Sequence, residues 1–255
     1  MDKNLTLRVA AVAGILTAGL IVSFYWPAGR TSAPEIVLPQ TGSADIDMDD
    51  SREQYNRRIV NEIAVDSSSV QCVVATLRRP EQYTLTGEST FYYGDQTKAI
   101  SIQCAVRGGL TKVIQSVTTG LYKHTLLTPS DAYIWSSDTQ SYYKGVLGDF
   151  SVDDLALIPT YEKLISLPED EIEKGGFEEI GGMACIYAER RKGETDVREC
   201  YYISVETGLL TAYQSYEGEK LTYAVHMVPA LETVGDEWFT LPSGVVVTDA
   251  DQSPA

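Results

Sequence analysis

Histidine is nearly absent from this chain, with two in 255 residues, and cysteine is sparse, with four. The two histidines, His124 and His226, stand apart without a His-x-x-His or His-x-x-x-His pair, and no two cysteines form a Cys-x-x-Cys, so no zinc signature is present. Nucleophilic catalysis needs a base beside a Ser, Thr or Cys, and neither histidine lies in a recognisable constellation of that kind. A glycine-rich phosphate loop is also missing, because the glycines fall at turn positions between apolar runs. Basic residues are scarce: 20 Lys and Arg stand against 36 Asp and Glu, for a formal charge of −16. That surface excludes nucleic acid as an expected partner. The sequence therefore reads as a non-enzyme without metal or cofactor, and no ligand-binding residue can be assigned from it.

A long apolar run does occur, once. Residues 9–26 carry no charge, and at ~1.5 Å per helical residue they would span roughly 27 Å. Lys3 and Arg8 precede the run and Phe24, Tyr25 and Trp26 close it, an asymmetry that predicts a signal-anchor helix over 7–26 with its N-terminus in the cytoplasm. The alternative is a cleaved signal peptide, against which stand the length of the run and the bulky Trp26 three places before a cut at Ala28. The expected topology is a single-pass cell-membrane protein: a cytoplasmic tip at 1–6, a flexible acidic linker at 27–53, an extracellular domain at 54–247 and a disordered tail at 248–255. Six inner residues leave no room for a receiving domain, which argues against a self-contained signal transducer. Within the linker, Asp45, Asp47 and Asp49 match the start of a calcium loop, but Asp50 and Asn56 stand where the template needs Gly and Glu.

Beyond the linker the hydrophobic period decides the structure. A strand is expected near 58–65, followed by Asp66-Ser67 as a helix cap and by Val70, Val73, Val74 and Leu77 at helical spacing, with Pro80 as the stop. From Tyr83 on, runs rich in Tyr, Thr, Val and Ile recur at about ten-residue spacing between Gly-containing turns, which predicts an antiparallel meander. Ser151 can cap a helical interruption whose apolar residues Leu155, Ile158, Leu164 and Ile165 are candidates for a lid over the sheet. The fold class is thus mainly β with some α: a curved antiparallel sheet or half-barrel of about 10 to 11 strands, a few short helices covering it, and one N-terminal transmembrane helix.

Cysteine placement bears on the hairpin arms 183–191 and 197–204. If Lys192-Gly193 is the loop centre, Cys185 faces Cys200, and a bridge there would add on the order of 3 kcal/mol; the alternative is two buried small hydrophobes. Cys72 with Cys104 follows only by elimination. Tyrosine is the one conspicuous excess, at sixteen. The pairs Tyr92-Tyr93, Tyr142-Tyr143 and Tyr201-Tyr202 would place one ring of each on the core and one in water or against a partner.

The order of these features resembles the lipoprotein-carrier superfamily of half-barrels, which includes LolA-like carriers, mycobacterial glycolipid-binding lipoproteins and RseB-like sensor domains. The features are an N-terminal apolar run, a helix ending in Thr76-Leu77-Arg78-Arg79-Pro80, long antiparallel strands, a helix inserted mid-chain and a final strand series. His124-Thr125-Leu126-Leu127 with Tyr133-Ile134-Trp135, and the stretch from Tyr201-Tyr202 to Gly208-Leu209-Leu210, look like membrane-anchored proteins of clostridial type. The resemblance implies a membrane-tethered module that binds a lipid or lipidated protein in an apolar cavity. The alternative is an envelope regulatory or scaffold domain that binds another protein through its surface, and a hydrolase is the third reading.

Overall fold

The computed structural model describes residues 51–146, 158–191 and 196–248. The expected transmembrane helix, with the cytoplasmic tip and almost all of the linker, lies outside them. No helix among the described residues is long and apolar enough to cross a membrane, so the transmembrane element of the expected fold, the membrane partner and the single-pass topology are withdrawn.

The first element corrects the sequence reading. Residues expected to start a strand near 58 belong to helix α1, Arg52–Glu62. A capping box decides it: the Gln54 amide donates to the Ser51 hydroxyl at 3.3 Å, and the Ser51 amide donates to the Gln54 side chain at 3.3 Å. Those reciprocal bonds satisfy two otherwise orphaned N–H groups and outweigh the β-preference of Ile59 and Val60. Helix α2, Val70–Thr76, forms where the apolar spacing placed it, with Val70, Val73, Val74 and Leu77 all buried. Asp66 fastens its approach by accepting from the amides of Ser68 and Ser69 at 2.9 and 3.1 Å.

Among the described residues eleven strands follow and form one open antiparallel sheet. They are β1 Gln82–Tyr93, β2 Gln96–Arg107, β3 Leu110–Thr118, β4 Leu121–Leu127, β5 Asp131–Ser136, β6 Tyr143–Val146, β7 Ile172–Ile180, β8 Met183–Arg191, β9 Val197–Ser204, β10 Leu210–Glu217 and β11 Lys220–Ala230. Their order is β6-β5-β4-β3-β2-β1-β11-β10-β9-β8-β7. The chain begins mid-sheet, winds out to the β6 edge, re-enters at the β7 edge and winds back until β11 pairs with β1, Thr84 opposite Ala230. At that seam Gly87 is required, since a Cβ would fall 1.9 Å from the His226 carbonyl oxygen. Gly175 in β7 answers a similar demand, because its missing Cβ admits the Asp66 backbone from the α1–α2 connection.

The return segment between β6 and β7 carries helix α3, Tyr161–Ile165, whose Leu164 is fully buried. Helices α2 and α3 cover one face of the sheet, where Val73, Leu164, Ile186, Tyr201, Ile203 and Met227 share a core. A second core lies on the opposite face. There the arm after β11 lays Val234, Phe239, Leu241 and Val247 across Ala105, Leu110, Leu126 and Tyr133 of β2 to β5. The alternation of strand side chains makes this possible: Ala105 points away from the face that carries Cys104, so each half of the sheet has its own cover.

Tyrosine pairs divide according to these covers. Tyr93 is exposed while Tyr92 is half-buried, as the alternation predicts. Tyr201 and Tyr202 are both buried, because Tyr201 meets Tyr213 on the helix side and Tyr202 meets Tyr187 on the other. Tyr142 and Tyr143 are both exposed, at the outer edge of the sheet where neither face is covered by these cores.

Candidate binding site

The larger cleft, about 830 Å³, opens between the start of α3 and the helix-side face of the sheet. Leu85 and Cys104 from β1 and β2, Val106, Leu210 and Met227 form its floor, and Ile158 and Tyr161 its roof. Arg79, Glu81, Arg107 and Glu162 are the charged residues in its wall, and three donors of Arg79 are already committed. They donate to the carbonyls of Gly208 at 2.9 Å, Leu77 at 2.9 Å and Val74 at 2.6 Å, and the guanidinium lies 3.5 Å from the centre of the Tyr161 ring. Arg79 is therefore a strut that joins α2, α3 and the β9–β10 turn, rather than an anchor for an anion.

Burial pushes the Cys104 thiol up to about 12, and it raises the Tyr83 and Tyr161 hydroxyls, the latter to about 12. These groups stay protonated and act as wall rather than nucleophile. Neither histidine lines this cleft. Of the four candidate lid residues, Ile158 and Leu164 are buried against the sheet, Ile165 is half-buried, and Leu155 lies outside the described residues. The Gln71 side chain donates to the Leu164 and Leu167 carbonyls at 2.9 and 2.8 Å, which fastens the end of α3 to α2.

All four cysteines are free thiols. The expected register of the cysteine hairpin is corrected: Cys185 lies opposite Ser204, and Cys200 opposite Glu189. Four residues of offset along a strand separate the two by roughly 13 Å, well past the ~7 Å that a bridge tolerates. Cys185 contacts the Thr211 hydroxyl and Cys200 the Tyr187 hydroxyl instead, while Cys72 is exposed on α2 and Cys104 is buried in the floor of the cleft.

The two buried carboxylates, Glu189 and Glu199, hold opposite faces of the sheet and are saturated with donors. Burial works to raise Glu199, but the Tyr213 hydroxyl at 2.5 Å, Lys163, and Arg190 at 2.6 Å outweigh it and hold the carboxyl below its ordinary range. Glu189 is held down in the same way by Tyr187, Lys174 and Arg198. Neither lines either cleft, so they read as ion networks of the fold. No group of three or more His, Cys, Asp or Glu side chains that could hold a metal occurs among the described residues.

Comparison with known proteins gives no matching family model and no curated relative. Among solved structures the chain is similar to a LolA superfamily protein from Nitrosomonas europaea, at 10% identity and a TM-score of 0.33, over 69% of this chain and 98% of that one. It is also similar to a DUF1329 family protein from Desulfovibrio piger, at 11% identity and a TM-score of 0.35, over 70% and 98%. A third is MucB in complex with MucA(peri), at 11% and 0.37, over 65% and 57%. Likeness at this level assigns no residue, ligand or partner to the chain.

Proposed function

We propose that this chain is a non-catalytic binding domain whose partner is another protein, taken up along the outer strand β6 and the tyrosine-bearing rim beside it. The observation that carries the reading is the exposure of Tyr143 at 67% and Val146 at 81% on a strand that pairs only with β5 among the described residues. Tyr142, Tyr122 and Val117 extend this apolar surface around the hairpin ends of the same half of the sheet. Tyrosine suits such a surface because it offers contact area at small entropic cost. Lys144, paired with Asp131 at 3.3 Å, is the one charge on the strand. An extended segment of a partner could add beside β6 through main-chain hydrogen bonds. With a formal charge of −16 on this chain, a neutral or basic segment is the complementary one.

A photo-cross-linking residue at Tyr143 tests it. Adducts should form there and not from a label at Glu173 on the opposite edge strand, and Val146→Pro should weaken binding of the purified captured protein about tenfold or more by removing an edge N–H. Equal labelling at both edges, or unchanged binding by the proline variant, sinks the idea.

The apolar floor of the 830 Å³ cleft favours a second reading, an acyl chain of a lipid or lipidated protein beneath α3. Mass spectrometry of organic extracts from the purified protein decides it: near-stoichiometric lipid supports the reading, and a lipid-free protein removes it.

A further inference from the structure

A second cleft, about 540 Å³, lies on the other face of the sheet, between β2 to β5 and the C-terminal arm. Its lining includes Lys112, His124, Trp135, Gln103, Glu237 and Trp238. Lys112 occupies a core-facing register between Leu110 and Ile114 and is 2% exposed, and its Nζ has no hydrogen-bond partner. The ammonium lies 3.2 Å from the centre of the Trp135 ring, and His124 stacks on that same indole at 5.1 Å. An ammonium removed from water needs a counter-charge or a set of acceptors, and an indole face supplies only part of that. Burial alone pulls Lys112 down to about 7, the expected sign for a cation whose opposite charge is missing. Burial and the neighbouring Lys112 together hold His124 near 4, so the histidine is neutral. Glu237, on the 3-10 turn Asp236–Phe239, is the acid in the lining, and no ion pair joins it to Lys112.

We propose that this cleft is a binding site for a small organic acid, whose carboxylate meets the Lys112 ammonium and whose flat or apolar body lies against Trp238 at the mouth. Gln103, Ser137, Thr139 and Gln140 line the same space and supply the neutral polar groups that would orient such a ligand. The carboxylate would give the buried Lys112 ammonium the hydrogen-bond acceptor it lacks among the described residues, and burial would strengthen that pairing relative to a surface lysine.

Benzoate and its neutral analogue benzamide are suitable probes, with tryptophan fluorescence of the full chain as the readout, since Trp135 and Trp238 both line the cleft. Benzoate should quench saturably and bind about tenfold or more tighter than benzamide, and Lys112→Met should erase that difference while leaving benzamide within twofold. Lys112→Met removes a buried charge and is expected to fold; a thermal melt confirms it. Glu237→Gln, at an exposed position, should tighten benzoate about twofold or more by removing like charge at the mouth. Absence of saturable quenching by benzoate, or equal benzoate affinity in wild type and Lys112→Met, overturns the proposal and leaves Lys112 as a structural residue of the arm.

Discussion

Asn56 and Arg78 are joined twice, through the Asn56 amide: its Nδ2 donates to the Arg78 carbonyl at 2.9 Å, and its Oδ1 accepts from the Arg78 backbone amide at 2.8 Å. The side chain is fully buried and ties α1 to the segment that leaves α2. Asn56→Ala leaves both backbone groups without their partner, and each unsatisfied group costs about 1–3 kcal/mol. Urea unfolding should show a loss of roughly 2–4 kcal/mol with an unchanged m-value.

Lys112→Met should stabilise the fold. The folded-state pKa of Lys112 is depressed to about 7 from its ordinary 10.5, so between those values the unfolded chain binds the extra proton. The penalty is fully present below pH 7, is relieved as pH rises from 7, and is gone above about 10.5. Paired melts should therefore show the gain from Lys112→Met, on the order of a few kcal/mol, at pH 6 and its near loss at pH 10.

The Glu199 network makes an opposite prediction. Its carboxyl is held below the ordinary value of 4.5, so the contribution is present above that pH and is lost as pH falls through the lower folded value. Glu199→Gln should flatten the stability profile on the acid side of pH 4.5. Glu199→Ala leaves Arg190, at 11% side-chain exposure, without that carboxylate and should cost roughly 3 kcal/mol or more in chemical denaturation.

Intact-mass measurement after alkylation of the non-reduced, denatured protein should show four modified thiols. In the native state Cys72 should react first, because Cys104, Cys185 and Cys200 are buried and burial raises each of the three thiols. A reductant should leave the melting temperature unmoved. Two or four unmodified cysteines contradict the four free thiols.

Phe239 tests the C-terminal arm as part of the fold. The ring is fully buried and Arg107 lies over it at 4.7 Å, while the Arg107 guanidinium also donates to the Val234 carbonyl at 2.9 Å. Phe239→Ala should cost about 3–5 kcal/mol by equilibrium unfolding. Hydrogen exchange should rise in β3 and β4 beneath the arm and stay unchanged in β8 and β9.

Local chemistry carried the sequence reading a long way. The Val70, Val73, Val74 and Leu77 spacing located α2, and the alternation of Tyr, Thr and Val between glycine turns yielded the meander and its strand number, because period and turn residues are properties of neighbours in sequence. The strand expected near 58 failed where Ile59 and Val60 were weighed without the Ser51-to-Gln54 capping box, itself a local signal. Cys185 and Cys200 failed for a different reason, since the pairing of two strands depends on loop geometry and on which side chains the faces must bury. The transmembrane element rested on composition alone, in residues that the structure does not describe.

What the tertiary structure alone decided is which face each strand residue serves. Lys112 alternates with Leu110 and Ile114 along β3, so it shares their face of the sheet, a placement that the sequence reading did not single out. Only the return of the C-terminal arm across that face turned it into a buried ammonium between Trp135 and a cleft, because cover from a segment more than a hundred residues away has no trace in local sequence. Tyr201 and Tyr202 are buried together because each face of β9 has its own packing partners, whereas Tyr142 and Tyr143 are exposed together at the sheet edge. Sequence set the alternation, and long-range packing set what each side of it meets.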